Sequence, residues 1–232
     1  MPRIVKHPEV RRGELLDCAQ ALFFERGYER TTIGEIIERA GVSKGGFYHH
    51  FTAKEELLEA LSARLAQESL ARFEDVLTAP DLDALARLNA FFARSRQIKL
   101  AGAPWLRATF DTLFKPENTL LYHRILAAVN PVFVPALAQI LAQGQEEGVF
   151  DVPDPVAAAE LVLQIGSTMQ SAMGRAMAAV RAGDGVAAAQ ILEARLKFVG
   201  TAIERILAVP AGSIHYVEPD TIAALLAGRR ST

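Results

Sequence analysis

Strand signals are what this sequence most conspicuously lacks. No convincing alternation of apolar and polar residues and no Asn-Gly hairpin turn occurs in its 232 residues, so an all-α chain is the expectation. Cysteine is nearly absent. Cys18 is the only one, which excludes an intrachain disulfide and suits a reducing cytoplasm, the expected location. A net charge of −2 excludes a polybasic chain, so any contact with nucleic acid must rest on local charge. The first residues, MPRIVKHPEVRR, are charged and lead into no apolar run, so a signal peptide is not expected. Charge is missing altogether from Ile125 to Gln145, but that stretch carries Asn130, Pro131, Pro135, Gln139, Gln143 and Gly144. A spanning helix wants about 20 predominantly apolar residues, so the expectation is a buried, kinked helix and no membrane span. Catalytic signatures are missing too: no Glu-x-x-His pair, nucleophile elbow or Gly-rich phosphate loop, so neither an enzyme nor a cofactor is expected.

What is present is helical periodicity. Leu15, Leu16, Ala19, Leu22 and Phe23 form the core stripe of an amphipathic helix that Gly27 should stop. Thr32 with Glu35 makes a capping box ahead of Ile33, Ile36 and Ile37, and Gly41 ends that helix after about two turns. Ser43 caps a short helix from Lys44 to about His50. Thr52 with Glu55 opens a long one to about Leu77. Asp81 is placed to cap the next, through Leu82, Leu88 and Phe92. Pro104 begins another, from Trp105 to about Phe114. A segment from Glu117 to Glu147 should bend at Pro131 and Pro135. Asp154 and Pro155 start a helix reaching about Ala182, and a last one covers Val186 to Leu207. A tail, Val209 to Thr232, holds one weak helix at about Asp220–Leu226.

The segment TTIGEIIERAGVSKGGFYHHF, Thr31 to Phe51, asks for a function. Two short helices joined by AGVS must turn sharply, because Gly41 tolerates positive φ; that is a helix–turn–helix, whose second helix fits the major groove of DNA. Lys44, Gly45, Gly46, Tyr48 and His49 are the wrong composition for a buried helix. Each glycine costs about 1 kcal/mol against alanine but lets the backbone approach another surface closely. No acidic residue lies between Ala40 and Ala53, while Lys44 and Lys54 are cationic, as a phosphate-facing surface requires. Phe47 and Phe51 should face inward, and Tyr48 and His49 outward. Adjacent histidines raise a metal, but His49 and His50 point about 100° apart on a helix and have no carboxylate or cysteine nearby at helix-face spacing, so no metal is expected. Cys18 reads as buried and inert.

The stretch TTIGEIIERAGVSKGGFYHHFTAKEELL resembles the DNA-binding segment of the TetR family of transcriptional regulators, over roughly Arg11 to Leu58. The resemblance implies an N-terminal three-helix DNA-binding domain (1–53), a larger helical ligand-binding and dimerisation domain (54–208) and a tail (209–232). It implies that Lys44, Gly45, Gly46, Tyr48 and His49 face the major groove. Thr32 and Lys54 would hold phosphates at helix N-termini, with Arg3, Lys6, Arg11 and Arg12 adding backbone contacts. It further implies an internal pocket for a small apolar or amphipathic effector, lined by Trp105, Thr109, Phe110, Phe114, Tyr122, His123, Met169, Gln170 and Met173. The partners implied are a palindromic double-stranded operator and a second copy, paired through Met177, Leu192, Leu196, Val199 and Ile203. A ligand-responsive repressor follows as the expected function. A sequence-neutral architectural DNA protein is the alternative; it explains the Gly-Gly helix and leaves the apolar C-terminal part without a role.

Overall fold

A computed structural model describes residues 7–101, 118–217 and 222. Among these residues it contains helices and turns and no strand, as predicted. In chain order the helices are α1 (Pro8–Arg26), α2 (Ile33–Ala40), α3 (Lys44–Tyr48), α4 (Lys54–Leu70), α5 (Glu74–Thr78), α6 (Ala84–Ala101), α7 (Thr119–Glu146), α8 (Pro155–Ile165), α9 (Met169–Arg181) and α10 (Gly185–Leu207).

Three apolar clusters hold them. The first joins Leu15, Ala19, Leu22 and Phe23 of α1 to Ile36, Phe47 and Phe51, to Leu57, Leu58 and Leu61 of α4, and to Leu121, Tyr122 and Ile125 of α7. The second packs Phe73, Leu88, Phe91, Leu137, Ile140, Phe150 and Ala159 against Val199, Ile203 and Leu207. The third lies between α9 and α10, around Met173, Ala176, Leu192 and Leu196. Packing therefore does not stop at residue 53. The N-terminal core continues through the first half of α4 and the first turns of α7.

Several boundaries differ from expectation for identifiable reasons. Ala53 is still extended (φ −152°, ψ 164°), so α4 starts one residue later and its third position is Glu56. Glu56, not Glu55, accepts from the Thr52 amide (2.6 Å) and hydroxyl (2.7 Å). The helix then ends at Leu70, well short of Leu77. A 3₁₀ turn, Ala71–Phe73, swings Phe73 into the core 4.8 Å from the Phe91 ring. Arg94 secures the break, donating to the Arg72 carbonyl and gripping Asp75 at 2.7 and 3.0 Å.

The cap of α6 is Asp83, not Asp81: its carboxylate accepts from the Ala86 amide at 2.7 Å. The loop before it is organised by Arg87, a buried cation. Its guanidinium donates to the carbonyls of Val76, Leu77, Ala79 and Leu82 at 2.6–3.0 Å and to Gln143 at 2.8 Å. The segment expected to run from Pro155 to about Ala182 is broken by a 3₁₀ turn at Gly166–Thr168. In contrast, α7 runs unbroken through Pro131 and Pro135. It is long and apolar enough to cross a membrane. It packs against α4, α6 and α8 with Leu137, Ile140 and Leu141 fully buried, as a core helix does. Its end is fitted to Phe150: a Cβ at Gly144 would sit 2.0 Å from that ring.

Candidate nucleic-acid interface

The turn between α2 and α3 is built as the sequence requires. Gly41 takes the left-handed conformation (φ 61°, ψ 33°), and the amides of Gly41 and Val42 return to the carbonyls of Glu38 and Ile37. Ser43 caps α3, its hydroxyl accepting from the Gly46 amide at 3.1 Å. Phe47 is fully buried and Phe51 nearly so. Their rings pack 6.1 Å apart, and burying each such side chain is worth about 1.5–3 kcal/mol. One side of a five-residue helix is thereby pinned.

Lys44, Gly45, Tyr48 and His49 lie on the other side and are exposed; at helical spacing these four positions share one face. Tyr48 is 45% exposed, held edge-on to Phe47 at 5.3 Å. Gly46 is half-buried against the Ser43 cap. The resulting surface has a cation, a phenol, an imidazole and bare backbone, with no acid from Ala40 to Ala53. Burial, and then the neighbouring His49, hold His50 below its ordinary pKa. His50 therefore stays neutral to lower pH than a free imidazole.

A model of the bacterial regulatory proteins of the tetR family matches residues 15–61, which contain this whole unit. A model of the tetracyclin repressor-like C-terminal domain matches residues 106–171. The chain belongs to the TetR family. It is 38% identical over 95 residues to the HTH-type transcriptional repressor KstR2 of Mycobacterium tuberculosis, covering 41% of this chain and 47% of that protein. It is 31% identical over 155 residues to the A-factor receptor protein of Streptomyces griseus, covering 64% of this chain and 50% of that one. The chain spans about half the length of these curated relatives. Crystal structures of RolR share the fold. The complex with resorcinol aligns at TM-score 0.63, 21% identity and 94% of each chain. The form without ligand aligns at 0.59 and 20%, over 92% of this chain and 95% of that one.

Within this TetR-family head, two residues expected to hold phosphates have hydrogen-bond partners in the chain itself. The Thr32 amide and hydroxyl both donate to Glu35 (2.8 and 2.9 Å), while the Glu35 amide donates back to that hydroxyl at 3.2 Å. The capping box forms, and its carboxylate takes up the donors that a phosphate would need. The Lys54 ammonium donates to the carbonyls of Tyr28 and Thr31, both at 3.0 Å, and stands 4.3 Å over the Tyr28 ring. Burial lowers its pKa. Lys54 thus ties the turn after α1 to the start of α4. Arg11 pairs with Glu14 at 2.8 Å, and Arg12 lies 5.1 Å over the Phe51 ring. Arg3 and Lys6 lie outside the described residues.

Of the expected effector residues, Trp105, Thr109, Phe110 and Phe114 lie outside the described residues. His123 is exposed and turned away from the core. Tyr122 is buried in the N-terminal cluster, and its hydroxyl donates to the Gly166 carbonyl at 3.1 Å. Burial pushes its pKa up to about 12. Gln170 and Met173 are buried and Met169 is half-buried. Tyr122 belongs to the N-terminal cluster, whereas Met169 packs against the second and third. The shallow groove lined by Arg72, Asp75, Arg94 and Ile98 includes none of these residues.

The expected seam between subunits is also redistributed. Leu192, Leu196, Val199 and Ile203 are buried within a single chain, which leaves them no surface to offer a partner; Met177 is half-buried. The apolar stripe of α10 packs against α9 and the second core within one chain. The outer sides of these helices expose Phe198 (66%) and Leu161 (56%) instead.

The sequence reading missed Leu121 and Ile125 as parts of the head. They lie about 60 residues from the α4 members of the same cluster, and no local pattern announces such packing. Lys54 stands out in the sequence for its charge, but its carbonyl partners 23 and 26 residues away leave no mark in spacing.

Proposed function

We propose that this chain is a ligand-responsive transcriptional repressor of the cytoplasm, which binds a palindromic operator as a homodimer and is released by a small apolar or amphipathic effector. The observation that carries this reading is the exposed, acid-free face of α3, pinned from behind by Phe47 and Phe51. Lys44 supplies phosphate attraction, Tyr48 and His49 reach base edges or phosphates, and Gly45 lets the helix backbone enter the groove. Similarity to the transcriptional repressor KstR2 and to the A-factor receptor protein supports repression and ligand response.

The dimer forms through the outer sides of α8 and α10, where Leu161 and Phe198 supply exposed apolar anchors. Two recognition helices then enter successive major grooves about 34–36 Å apart. The effector acts by favouring one spacing over another. The route is physical: α4 and the first turns of α7 belong to the same apolar cluster as the reading head, and Arg124 of α7 grips Glu59 of α4 at 2.7 Å. Coupling of this kind is typically about 1–3 kcal/mol and reciprocal.

The architectural alternative is separated by competition. A repressor prefers its site over unrelated duplex of equal length by about 10³-fold or more. Equal affinity for both would refute the regulator reading.

A further inference from the structure

The segment after α10 makes contacts that DNA binding does not use. The chain turns at Ala208 (φ 55°) and returns along the groove between α6 and α10 without forming a helix. Its backbone is read on both edges by side chains. On one edge, the buried Glu204 carboxylate accepts from the amides of Gly212 (2.7 Å) and Ile214 (3.2 Å). On the other, Asn89 donates to the Ser213 carbonyl at 2.9 Å and accepts from the His215 amide at 2.7 Å. Arg96 then donates to the carbonyls of His215 (2.6 Å) and Tyr216 (3.2 Å). Between these bonds Ile214 is buried in the second core, and the Tyr216 ring stands edge-on to Phe92 at 5.1 Å.

Extended backbone in a helical protein has no ladder to satisfy its N–H and C=O groups. Here helical side chains do so at residues two apart, 212 with 214 and 213 with 215, which is the repeat of a strand. Strand-addition sites read peptides in this way, with main-chain bonds for affinity and pockets for alternate side chains for specificity. Glu204 sharpens the point. A buried carboxylate is costly without donors, and both amides that the structure gives it come from this segment.

We propose that the groove between α6 and α10 is a binding site for an extended peptide, with the chain's own residues 212–216 as resident ligand. The pattern it selects is an aliphatic residue and, two positions on, an aromatic one, as in Ile214 and Tyr216. The backbone is fixed by Glu204, Asn89 and Arg96. Release of the strap breaks no helix. Tyr216 and Val217 also pack against the cluster that holds Met173, so the strap and the α9–α10 pair share a wall. The site stands whether or not DNA is the partner of α3. A tethered ligand has an effective concentration in the millimolar range, so a free peptide of the same sequence competes only once the tether's own contacts are weakened.

Two measurements test this on the full-length protein. In wild type, amide exchange at Gly212, Ile214 and His215 should proceed by local release, about 10- to 100-fold faster than at Val199 and Ile203 in α10. Asn89→Ala should speed the strap amides by about tenfold more and leave α10 unchanged. Strap amides that exchange in step with α10 in both proteins would make the segment an inseparable part of the core and overturn the proposal. Second, the Ile214→Asp chain, with its strap ejected, should bind a fluorescein-labelled synthetic peptide of residues 209–217 saturably. Adding Asn89→Ala should abolish that binding. A helical Ile214→Asp chain that takes up no peptide would overturn the proposal; if that variant does not fold, the exchange experiment decides.

Discussion

Adjacent glycines in α3 should respond differently to alanine. A Cβ built at Gly45 meets only the Ser43 hydroxyl, at 4.0 Å, whereas one at Gly46 comes within 3.3 Å of that hydroxyl and 3.7 Å of Val42. Gly45→Ala therefore fits the free protein and gains helix propensity, about 1 kcal/mol, which raises Tm by about 2–4 °C for a chain of this size. Gly46→Ala presses on the capping oxygen that holds the helix start, and a lost cap costs about 1 kcal/mol, which cancels the same propensity gain and leaves its Tm near the wild-type value. On DNA the order differs. Position 45 lies on the exposed face with Lys44, Tyr48 and His49, so its methyl stands between the backbone and the groove. Gly45→Ala should weaken specific binding by about tenfold or more, equivalent to about 1.4 kcal/mol, in a protein that is more stable than wild type. The assays are thermal unfolding and fluorescence anisotropy on one DNA duplex. A stabilised Gly45→Ala protein with wild-type affinity would refute the close approach of α3 to DNA.

The two lysines should separate in salt. Lys44→Ala should lower the salt slope of DNA binding by about one phosphate's worth. Lys54→Met should weaken binding by loosening the turn after α1 while leaving that slope unchanged; equal slope losses would restore Lys54 as a phosphate ligand. Arg87→Met strips the donor from four loop carbonyls and should cost about 3 kcal/mol, read as a Tm drop of about 6–12 °C. Phe198→Glu should convert the dimer to a helical monomer in sedimentation, and a persistent dimer would place the seam elsewhere. The carboxyls of Glu35 and Glu56 are held below their ordinary value of 4.5, mainly by the backbone amides and then the hydroxyls of Thr32 and Thr52. A depressed folded pKa stabilises above the ordinary value, and that stability is lost as pH falls through the folded one. The head should thus lose stability on acidification below about pH 4.5, and the paired Glu35→Gln, Glu56→Gln variant should flatten that dependence in pH-dependent unfolding.

Much of the head was legible because its determinants are local. The Thr32–Glu35 box, Gly41, the Ser43 cap and the Phe47–Phe51 pair each act within a few residues. The apolar stripe of α10 was equally legible, but a stripe records only that a face is covered. Whether α9 of the same chain or a second copy covers it depends on contacts distant in sequence. The breaks at Ala71–Phe73 and Gly166–Thr168 were hidden for the same reason: Phe73 leaves the helix to meet Phe91 and Phe133, and the Gly166 carbonyl is met by Tyr122, 44 residues away. The strap shows the limit most plainly. The alternation in SIHYV is too short to announce an element, and its order comes from Asn89, Arg96 and Glu204, two of which lie about 120 residues earlier.

The central claim is that α3 reads a specific two-fold DNA site. It is tested most directly by selecting bound sequences from a random duplex pool with the purified protein, at two salt concentrations. A near-palindrome whose half-site centres lie about 10 bp apart, recovered at both salts, is the predicted result. Salt-sensitive recovery with no shared sequence would contradict it.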